Sequence, residues 1–375
     1  MPDGGGSVKI LLIGNYRPDG QWSMIGFEEA LARELTRMQA TVESIYPRSR
    51  LRALAKGTAA RKWLAYADKF VLFRPRLRMA VERADLVHLC DQGNALYLNE
   101  FHHRPHLVTC HDLLALRASL GEIPGWGVSA SGKQLLAAVR RRLASAANIA
   151  CVSDATRRDY ERLIPSKPRI HLVPNGLFNP YQALDRNSAV ARLKDLGFDP
   201  RTPFLLHVGG NEPYKNRAGA VEIHRNLRKR LDHAPRLVLA GHPLSIAFRT
   251  ELGDDLRTGR VVEVPRPTDD QMEALYSLAE ALLFPSHDEG FGMPILEALA
   301  CGCPVFTSDR PPMTEVGGSA AVYIDPSRPD LAAEVIAASW NRRADMAAAG
   351  LREAHGRGPA RMAQDYLRIY GEIVG

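Results

Sequence analysis

At 375 residues the chain is longer than one hydrophobic core usually serves, so its length favours two or three domains. Apolar residues make up 45% and charged residues 24%, which excludes disordered, collagen-like and coiled-coil proteins. The net charge of +7 is uneven: residues 48–83 hold eleven basic and two acidic side chains, a net +9. The rest of the chain is slightly acidic and lacks the basic faces of a nucleic-acid-binding protein, so we expect no nucleic-acid partner.

The sequence predicts a protein of the reducing cytoplasm. Its longest apolar runs, such as Ile10–Ile13, are far shorter than the roughly 18 residues of a membrane span. Residues 1–7, which include a short glycine run, lack the basic and apolar regions of a secretory signal. The five cysteines are odd in number and scattered through apolar surroundings, which does not fit a disulfide framework.

Short apolar runs that end in Gly, Asn or Asp alternate with amphipathic helical stretches along the chain. The runs predict two series of strands: Val8–Ile13, Thr41–Tyr46, Leu86–Cys90, His106–Cys110, Ile149–Val152 and Ile170–Val173, then Phe204–Val208, Leu237–Ala240, Val261–Val264, Ala281–Phe284, Pro304–Thr307 and Ala321–Ile324. The helical patterns include Met24–Met38, Lys133–Ala146, Ala218–Leu231, Asp269–Leu278 and Leu331–Ser339. Such alternation predicts an α/β protein with two doubly wound parallel sheets, whose ligands bind beyond the carboxyl ends of the strands.

The boundary between the two predicted domains lies in a polar connector. Residues 178–203 contain the Asn179-Pro180 and Asp199-Pro200 turn signals. We therefore divide the chain into domains at 1–180 and 181–357, and expect a C-terminal helix at about 358–375 to pack back on the first domain.

Polar residues that follow the strands of the first series are candidates for chemistry. The loop after the first strand contains Asn15, Trp22 and Ser23 and lacks the G-x-G-x-x-G dinucleotide fingerprint, which argues against a nicotinamide-dependent oxidoreductase. His111 follows the strand His106–Cys110 and has a strand-end cap as its structural alternative.

Three further histidines, His102, His103 and His106, lack metal-ligand spacing and are predicted to lie at the surface. Cys301 and Cys303 flank a glycine that stops a helix, and we interpret them as small packing residues.

The first strand of the second series ends in Gly209, Gly210 and Asn211, followed by Lys215 and Arg217. A cation just past a strand end can neutralise a diphosphate leaving group without a metal. The alternative is a solvated lysine in an exposed turn.

The most informative stretch, H-D-E-G-F-G-M-P-I-L-E-A-L-A-C-G-C-P-V, begins at His287, just after the strand Ala281–Phe284. Gly290 and Gly292 let a ligand approach the backbone, and a helix that begins near Pro294 offers free N–H groups to a phosphate. The carboxylates of Glu289 and Glu297 suit the hydroxyl groups of a sugar and a ribose. Alternatively, Glu289 is a solvated loop charge and Glu297 complements the helix dipole.

This E-x7-E pair and its surroundings resemble the signature of the retaining glycosyltransferases of family 4 (glycosyl transferases group 1). The resemblance covers most of the chain. It implies the GT-B fold, in which two Rossmann-like domains face a central cleft, the first on the acceptor side and the second binding a nucleotide-sugar donor. The chain departs from the family pattern at Asn211, where an arginine is common, so that Asn211 or Arg217 is left to make the second phosphate contact.

The resemblance also implies roles for residues. Glu297 would bind the donor ribose, and Glu289 would hold the transferred sugar together with the following backbone. His111 would contact the donor sugar, and His111, Glu289 and Lys215 form the expected catalytic set. The expected donor-binding set is Gly209, Gly210, Asn211, Lys215, Arg217, Pro265, Arg266, Glu289, Gly290, Phe291, Gly292, Met293 and Glu297. Asn15, Trp22 and Ser23 are the acceptor-side candidates.

The function so implied is a hexosyltransferase that moves a sugar, with mannose as the leading choice, from a GDP- or UDP-linked donor to a lipid-linked or polysaccharide acceptor. No cofactor is expected. No Asp-x-Asp motif accompanies the diphosphate site, so no metal is expected either. Two alternatives stay open: a sugar-nucleotide 2-epimerase with the same fold, and a nucleotide-sugar-binding partner without activity.

Residues 48–83 predict a peripheral contact with an anionic membrane on the cytoplasmic face. Aromatic and aliphatic residues at helical spacings are surrounded by basic ones. The apolar set is Trp63, Leu64, Tyr66, Phe70 and Phe73, and the basic set is Lys62, Lys69, Arg74, Arg76 and Arg78. The alternative is that the aromatic residues pack on the first sheet.

Overall fold

The structure is a computed structural model that describes residues 8–54 and 57–375, except for the side chains of residues 58 and 59. The glycine run at 4–6 and Lys56 of the basic segment lie outside the described residues. The described chain forms two compact units. The first holds the residues up to 120 with 128–179 and 358–375, and the second holds 121–127 and 180–357.

Helices separate most of the strands. In chain order they are α1 (Trp22–Arg37), α2 (Thr58–Ala67), α3 (Phe73–Val81), α4 (Leu114–Ser119), α5 (Ala130–Leu143), α6 (Asp154–Leu163), α7 (Arg186–Leu193), α8 (Arg217–Leu227), α9 (Ile246–Arg257), α10 (Asp269–Leu278), α11 (Met293–Ala300), α12 (Met313–Gly317), α13 (Pro329–Ser339), α14 (Arg343–Ala354) and α15 (Pro359–Val374). A π-helical turn, Asp68–Leu72, joins α2 to α3. Among the described helices, none is both long and apolar enough to cross a bilayer.

The sheet of the first unit consists of parallel strands in the order β2-β1-β3-β4-β5-β6. These are β1 (Lys9–Ile13), β2 (Thr41–Ile45), β3 (Leu86–Leu89), β4 (His106–Cys110), β5 (Asn148–Cys151) and β6 (Arg169–Leu172). The chain runs outward from β1 to β2 and then returns to β3 on the other side. The topological switch point, where such sheets bind ligands, therefore lies between β1 and β3.

The sheet of the second unit is also parallel, in the order β12-β11-β10-β7-β8-β9. Its strands are β7 (Phe204–Gly209), β8 (Arg236–Gly241), β9 (Val261–Pro265), β10 (Ala281–Phe284), β11 (Val305–Ser308) and β12 (Ala321–Ile324). Here the switch point lies between β7 and β10. The two parallel sheets confirm the predicted fold class.

Burial explains why the strands were visible in the sequence. Strands β3, β4, β10 and β11 are buried at every position, as expected for parallel sheets covered by helices on both faces. Each unit has its own apolar core. The helix α15 lies in the first unit, where the hydroxyl groups of Tyr366 and Tyr370 reach Thr109 and His88 at 2.9 and 2.6 Å.

Three findings refine or correct the sequence prediction, beside small shifts in the bounds of several strands and helices. The helix α5 begins at Ala130 rather than Lys133, because the side chain of Ser129 accepts a hydrogen bond from the backbone of Gly132 and caps it. The connector 178–203 contains the helix α7, whose Leu193 is buried in the second unit.

The third difference is His106, which is buried rather than exposed. Its Nδ1 contacts the carbonyl oxygen of Arg104 at 2.8 Å, and its Nε2 accepts from the backbone N–H of Ala147 at 3.0 Å. His106 is therefore a structural residue at the start of β4.

Candidate active site

Two loops at the switch point of the second sheet are tied together by hydrogen bonds. One loop follows β7 and the other follows β10. Asn216 adopts a left-handed conformation (φ 53°) that caps α8, and its Nδ2 donates to the carbonyl oxygen of Pro285 at 2.9 Å. The backbone N–H of His287 donates to the carbonyl oxygen of Tyr214 at 2.7 Å. These contacts hold the two predicted donor-site motifs against each other.

Lys215 and Glu289 meet across these loops. The Nζ of Lys215 lies 2.8 and 2.7 Å from the two carboxylate oxygens of Glu289. Lys215 follows β7 and Glu289 follows β10, so the pair stands directly at the switch point. The alternative of a solvated lysine in an exposed turn is wrong, because the Lys215 side chain is only 17% exposed.

The loop after β10 ends at the start of α11. Gly292 has a φ of 100°, a conformation that favours glycine, and its backbone precedes the first helical residue, Met293. Pro294 occupies the first turn, as predicted, and no side chain of the described residues caps this helix. Phe291 is buried. The helix therefore directs its amino end, with its positive partial charge, towards the loop that carries Glu289.

Glu297 lies one turn into α11. The hydroxyl group of Tyr276 donates to its Oε2 at 2.8 Å. Burial of the carboxyl group raises the pKa of Glu297 to about 7, although the Tyr276 hydrogen bond opposes that shift. Near neutral pH the group therefore exchanges readily between a carboxylate, which accepts hydrogen bonds, and a carboxylic acid.

Arg217 stabilises the loop after β7 through two hydrogen bonds from its guanidinium group. Its Nη2 donates to the carbonyl oxygen of Gly209 at 2.5 Å and its Nη1 donates to Oδ1 of Asn211 at 2.8 Å. The Nδ2 of Asn211 donates in turn to the carbonyl oxygen of Pro243. Arg217 is 6% exposed. Both candidates for the second phosphate contact are thus already engaged, with each other, with the backbone of the loop after β7 and with the loop after β8, and no further arginine stands beside Lys215 on the loop after β7.

The remaining donor-side candidates lie in the same unit. A Cβ atom at Gly210 would lie 1.9 Å from Oε2 of Glu212, so a larger residue there would require the Glu212 side chain to move. Pro265 ends β9, and Arg266 follows it in a left-handed conformation (φ 51°) with its N–H donating to the carbonyl oxygen of Gly241. Both Pro265 and Arg266 are exposed.

His111 lies in the first unit, just after β4, and is buried. Its Nε2 lies 2.9 Å from the carbonyl oxygen of Cys90, so Nε2 carries the proton and donates. Its Nδ1 is then an acceptor, and it has no partner among the described residues. Burial lowers the pKa of His111, which keeps the ring neutral. His111 therefore presents a buried ring nitrogen that can accept a hydrogen bond, as His171, His207 and His224 also do.

A polar cluster occupies the switch point of the first sheet. The Nδ2 of Asn15, after β1, donates to Oδ2 of Asp91, after β3, at 2.5 Å. Nδ2 of Asn15 also donates to Gln21, and Oδ1 of Asn15 accepts from Asn94. We did not predict Asp91, although it directly follows the predicted strand Leu86–Cys90 and the rule that singled out Asn15 and His111 applies to it equally.

The other acceptor-side candidates stand apart from this cluster. Trp22 and Ser23 are the first two residues of α1, and both are exposed. The Trp22 side chain is 71% exposed. A large exposed aromatic residue at the carboxyl edge of β1 is available to a ligand rather than needed for packing.

Two further observations delimit the site. Within residues 8–54 and 57–375, no group of three His, Cys, Asp or Glu residues could hold a metal ion. A cavity of about 510 Å³ in the second unit lies at the opposite, amino-terminal edge of the sheet, where Pro203, Arg236 and Arg260 line it. The candidate site residues therefore do not line that cavity.

Two family models match consecutive parts of the chain. The model described as glycosyl transferases group 1 matches residues 191–350, and the model described as Glycosyltransferase Family 4 matches residues 29–177. The O-antigen chain mannosyltransferase B of Escherichia coli is 26% identical over 282 residues, which are 70% of this chain and 71% of that relative.

Solved structures share the whole fold at low identity. The sucrose-phosphate synthase of Thermosynechococcus elongatus matches with a TM-score of 0.73 and 17% identity, over 97% of this chain and 98% of the other. Anabaena HepE, solved in complex with UDP-glucose, matches with a TM-score of 0.69 and 16% identity, over 97% and 99% of the two chains. With the family models on both halves and the carboxylate pair at the switch point, the chain belongs to the group 1 glycosyltransferases of family 4, which have the GT-B fold.

Proposed function

We propose that this glycosyltransferase moves a hexose, and specifically mannose, from a nucleotide-diphosphate sugar to a lipid-linked or polysaccharide acceptor, with retention at the anomeric carbon. The observation that carries the proposal is the Lys215–Glu289 pair, with Glu297 one turn into the adjacent helix, at the switch point of the second sheet. A cation, a free helix amino end and two carboxylates match a diphosphate, a ribose and a sugar.

Two comparisons support the choice of substrates. The O-antigen chain mannosyltransferase of Escherichia coli supports mannose and a polysaccharide product. The complex of Anabaena HepE with UDP-glucose supports a nucleotide-diphosphate sugar as the donor. The base is left open between guanine and uracil, since Pro265 and Arg266, where the family packs the base, carry no acidic or aromatic selector.

In the proposed reaction the bond between the anomeric carbon and the diphosphate oxygen breaks, and the acceptor oxygen bonds to that carbon from the same face. The departing diphosphate takes the proton of the acceptor hydroxyl. Lys215 and the amino end of α11 compensate the charge that develops on the diphosphate, so the proposal needs no metal. Glu289 accepts hydrogen bonds from the sugar hydroxyl groups and orients them.

His111 and Asn15 serve the sugar and the acceptor in this proposal. The unpartnered Nδ1 of His111 accepts a hydrogen bond from a sugar hydroxyl group, and its neutral ring suits this role better than proton transfer. Asp91 holds Asn15 in position through the 2.5 Å hydrogen bond between them. Trp22 offers its exposed ring to the acceptor, since aromatic rings bind the apolar faces of sugars and lipids.

We also propose peripheral association with an anionic membrane, through an apolar set that differs in part from the one predicted. Phe73 is buried in the core and Phe70 packs against it, so these two are unavailable. Trp63 of the predicted set is 70% exposed. Within residues 70–80 the exposed apolar residues are Val71, Leu72, Pro75 and Met79. Arg74 and Arg78 flank them, both paired with Glu100.

A donor screen tests the catalytic proposal. Thermal shift against GDP, UDP, ADP and CDP identifies the base, and sugar donors that carry the preferred nucleotide are then assayed for transfer to a lipid-linked acceptor. We expect transfer of mannose from the donor that carries the preferred base, and we expect this transfer to survive EDTA. The matched control is Glu289→Gln, which should bind nucleotide and transfer poorly. Epimerised donor without transfer, or binding without turnover for any donor, would favour the alternative functions.

Sedimentation with vesicles tests the membrane proposal. Wild type should sediment with phosphatidylglycerol vesicles more than with phosphatidylcholine vesicles, and less at high salt. Val71→Ser with Met79→Ser should reduce sedimentation, while Ile246→Ser, which changes an exposed residue of the second unit, should not. Wild type that stays in the supernatant at low salt would contradict the proposal.

A further inference from the structure

The first unit contains a pocket lined mainly by cations. Its volume is about 460 Å³, and its lining residues are Asp19, Arg52, Arg61, Lys62, Ala65, Tyr66 and Lys69. Four of these side chains are positive and one is negative, so the lining carries a net charge of +3. None of the residues assigned above to the donor or the acceptor lines this pocket. Lys62, Tyr66 and Lys69 line it and also belong to the predicted membrane-binding segment.

One wall of the pocket is a loop that a buried carboxylate holds in place. Asp68 is 1% exposed and accepts hydrogen bonds from the backbone N–H groups of Arg50, Leu51 and Arg52 at 3.2, 2.8 and 3.1 Å. It also accepts from the hydroxyl group of Tyr16 at 2.9 Å. These four bonds fasten the segments that follow β1 and β2 to the end of α2, so the pocket is built by the fold and does not depend on chance surface side chains.

The facing wall is one side of α2 and the turn after it. Residues 61, 62, 65, 66 and 69 recur at helical spacing and therefore share a face. The Nζ of Lys69 lies 2.8 Å from Oδ2 of Asp19 and 5.1 Å from the centre of the Tyr66 ring. Nη1 of Arg52 donates to the carbonyl oxygen of Pro18 at 2.7 Å. Lys69 and Arg52 are thus fixed, while Arg61 and Lys62 are exposed at the rim.

The pocket lies on the ligand-binding edge of its sheet. Asp19 belongs to the loop after β1, which also carries Asn15 and Trp22, and Arg52 belongs to the segment after β2. Both loops leave the carboxyl ends of parallel strands, which is the edge where such sheets bind ligands. An anion bound here would therefore stand on the same edge as the Asn15–Asp91 cluster.

We propose that this pocket binds the phosphate or diphosphate group of the acceptor substrate, and the proposal rests on the function proposed above. Two guanidinium and two ammonium groups suit the charge and oxygen-rich surface of a phosphate ester. The volume exceeds the needs of one phosphate group and lies in the range of small-molecule sites, so a diphosphate or the residue attached to the phosphate also fits. The donor diphosphate is not the occupant, because its proposed site is in the second unit.

Titration calorimetry with inorganic pyrophosphate tests the pocket independently of transfer. The full-length Lys215→Ala variant is used as the background, so that the proposed donor site does not contribute. We expect binding that weakens about tenfold when Arg61→Ser and Lys62→Ser are added, and less than twofold when the exposed Arg83→Ser is added instead. No binding in the background, or equal binding by the double variant with its circular dichroism unchanged, overturns the proposal.

A gain-of-binding variant excludes misfolding as an explanation. Asp19 is the one carboxylate among the residues that line the pocket, and it occupies Lys69. Asp19→Asn should therefore bind pyrophosphate several-fold more tightly than the background. Weaker or unchanged binding by Asp19→Asn would contradict an anion site here.

Two further probes identify the source of the phosphate. Farnesyl diphosphate represents a lipid-linked acceptor and glucose 6-phosphate a soluble one, and the tighter binder in this pocket indicates which class is used. Pyrophosphate binding that depends on Arg61 and Lys62, in a protein that transfers no sugar, would keep the pocket and remove the proposed function. Transfer activity without pyrophosphate binding would keep the proposed function and remove the phosphate pocket.

Discussion

Lys215 and Glu289 form a bidentate ion pair that links the loops after two neighbouring strands of the second sheet, β7 and β10. The Nζ of Lys215 lies 2.8 and 2.7 Å from the carboxylate oxygens, and the two side chains are 17% and 7% exposed. In the proposed function, a diphosphate that enters the site would meet a cation already held in position and would share it with Glu289. This preorganisation costs little at the moment of reaction.

Replacement of Lys215 should lower the activity strongly and the stability only slightly. We expect Lys215→Ala to lower kcat by about 10²–10³, because compensation of charge on the leaving group is worth about 2–4 kcal/mol. The free energy of unfolding should fall by about 1–2 kcal/mol, since a partly buried Glu289 loses its partner.

A double variant controls for the Glu289 carboxylate, which Lys215→Ala leaves without its partner. Lys215→Ala with Glu289→Gln should regain most of the lost stability and none of the activity, as measured by denaturant unfolding and by product formation. An active double variant would remove Lys215 from the catalytic machinery. Lys229→Ala, which changes an exposed lysine of the same unit, should behave like wild type in both assays.

The two glutamates should have separable roles. Glu297→Ala should weaken binding of free nucleotide about tenfold, because its expected partner is the ribose. Glu289→Gln should leave nucleotide affinity within a few-fold of wild type and lower kcat, because its expected partner is the transferred sugar. Calorimetry with the nucleotide and steady-state kinetics make the comparison. Normal affinity in both variants together with normal transfer would show that the donor lies elsewhere.

The pKa of Glu297, raised to about 7, predicts a pH dependence of nucleotide binding. The ionised carboxylate is the better acceptor for ribose hydroxyl groups, so affinity should increase as the pH rises from about 6 to about 8. Glu297→Gln does not titrate, so its affinity should follow only the ionisation of the nucleotide itself. Parallel pH profiles for wild type and Glu297→Gln would contradict this role.

The raised pKa of Glu297 has the opposite effect on folding stability, which should decrease as the pH rises. A folded-state pKa raised from 4.5 to about 7 means that the folded protein binds the proton more tightly than the unfolded chain does. This contribution is present below about pH 4.5 and is lost as the pH rises through 7. The stability difference between wild type and Glu297→Gln should therefore change in that window, as urea unfolding at several pH values can measure.

The Asn15–Asp91 hydrogen bond predicts an effect on the acceptor alone. Asp91→Asn presents an amide to the Asn15 amide, so we expect the KM for the acceptor to rise about five- to tenfold with the donor KM unchanged. Adding Asn15→Asp restores a donor and an acceptor in the reverse order and should recover most of the acceptor KM. Failure of the double variant to recover, with both proteins equally stable, would reduce Asp91 to a structural residue.

Most of the fold could be predicted because its central strands are buried on both faces. Continuous apolar runs such as Leu282–Phe284 mark parallel strands. Gly302 has a φ of 68° and ends α11 at the position that the sequence indicates. Helix starts were less accurate where the cap lies outside the amphipathic pattern. Ser129, for example, caps α5 and lies four residues before Lys133, where the amphipathic pattern begins.

The candidate site was predictable where the chemistry is local in the chain. Glu289, Gly292 and Glu297 fall within one strand–turn–helix unit, so their spacing carries the prediction. The partner of Asp91, Asn15, comes from a distant segment, and no short-range pattern records it. The burial of His106 is not visible in the local sequence for the same reason, since the backbone N–H of Ala147 meets its Nε2 only in the folded sheet.

The anomeric configuration of the product tests the central claim most directly. Wild-type protein is incubated with an α-linked mannose donor that carries the preferred base and with a lipid-linked glycan acceptor, and the new linkage is followed by NMR. We predict an α-mannosyl product that forms with EDTA present and is lost in Lys215→Ala. A β-linked product, an epimerised donor, or unchanged product formation by Lys215→Ala would contradict the account.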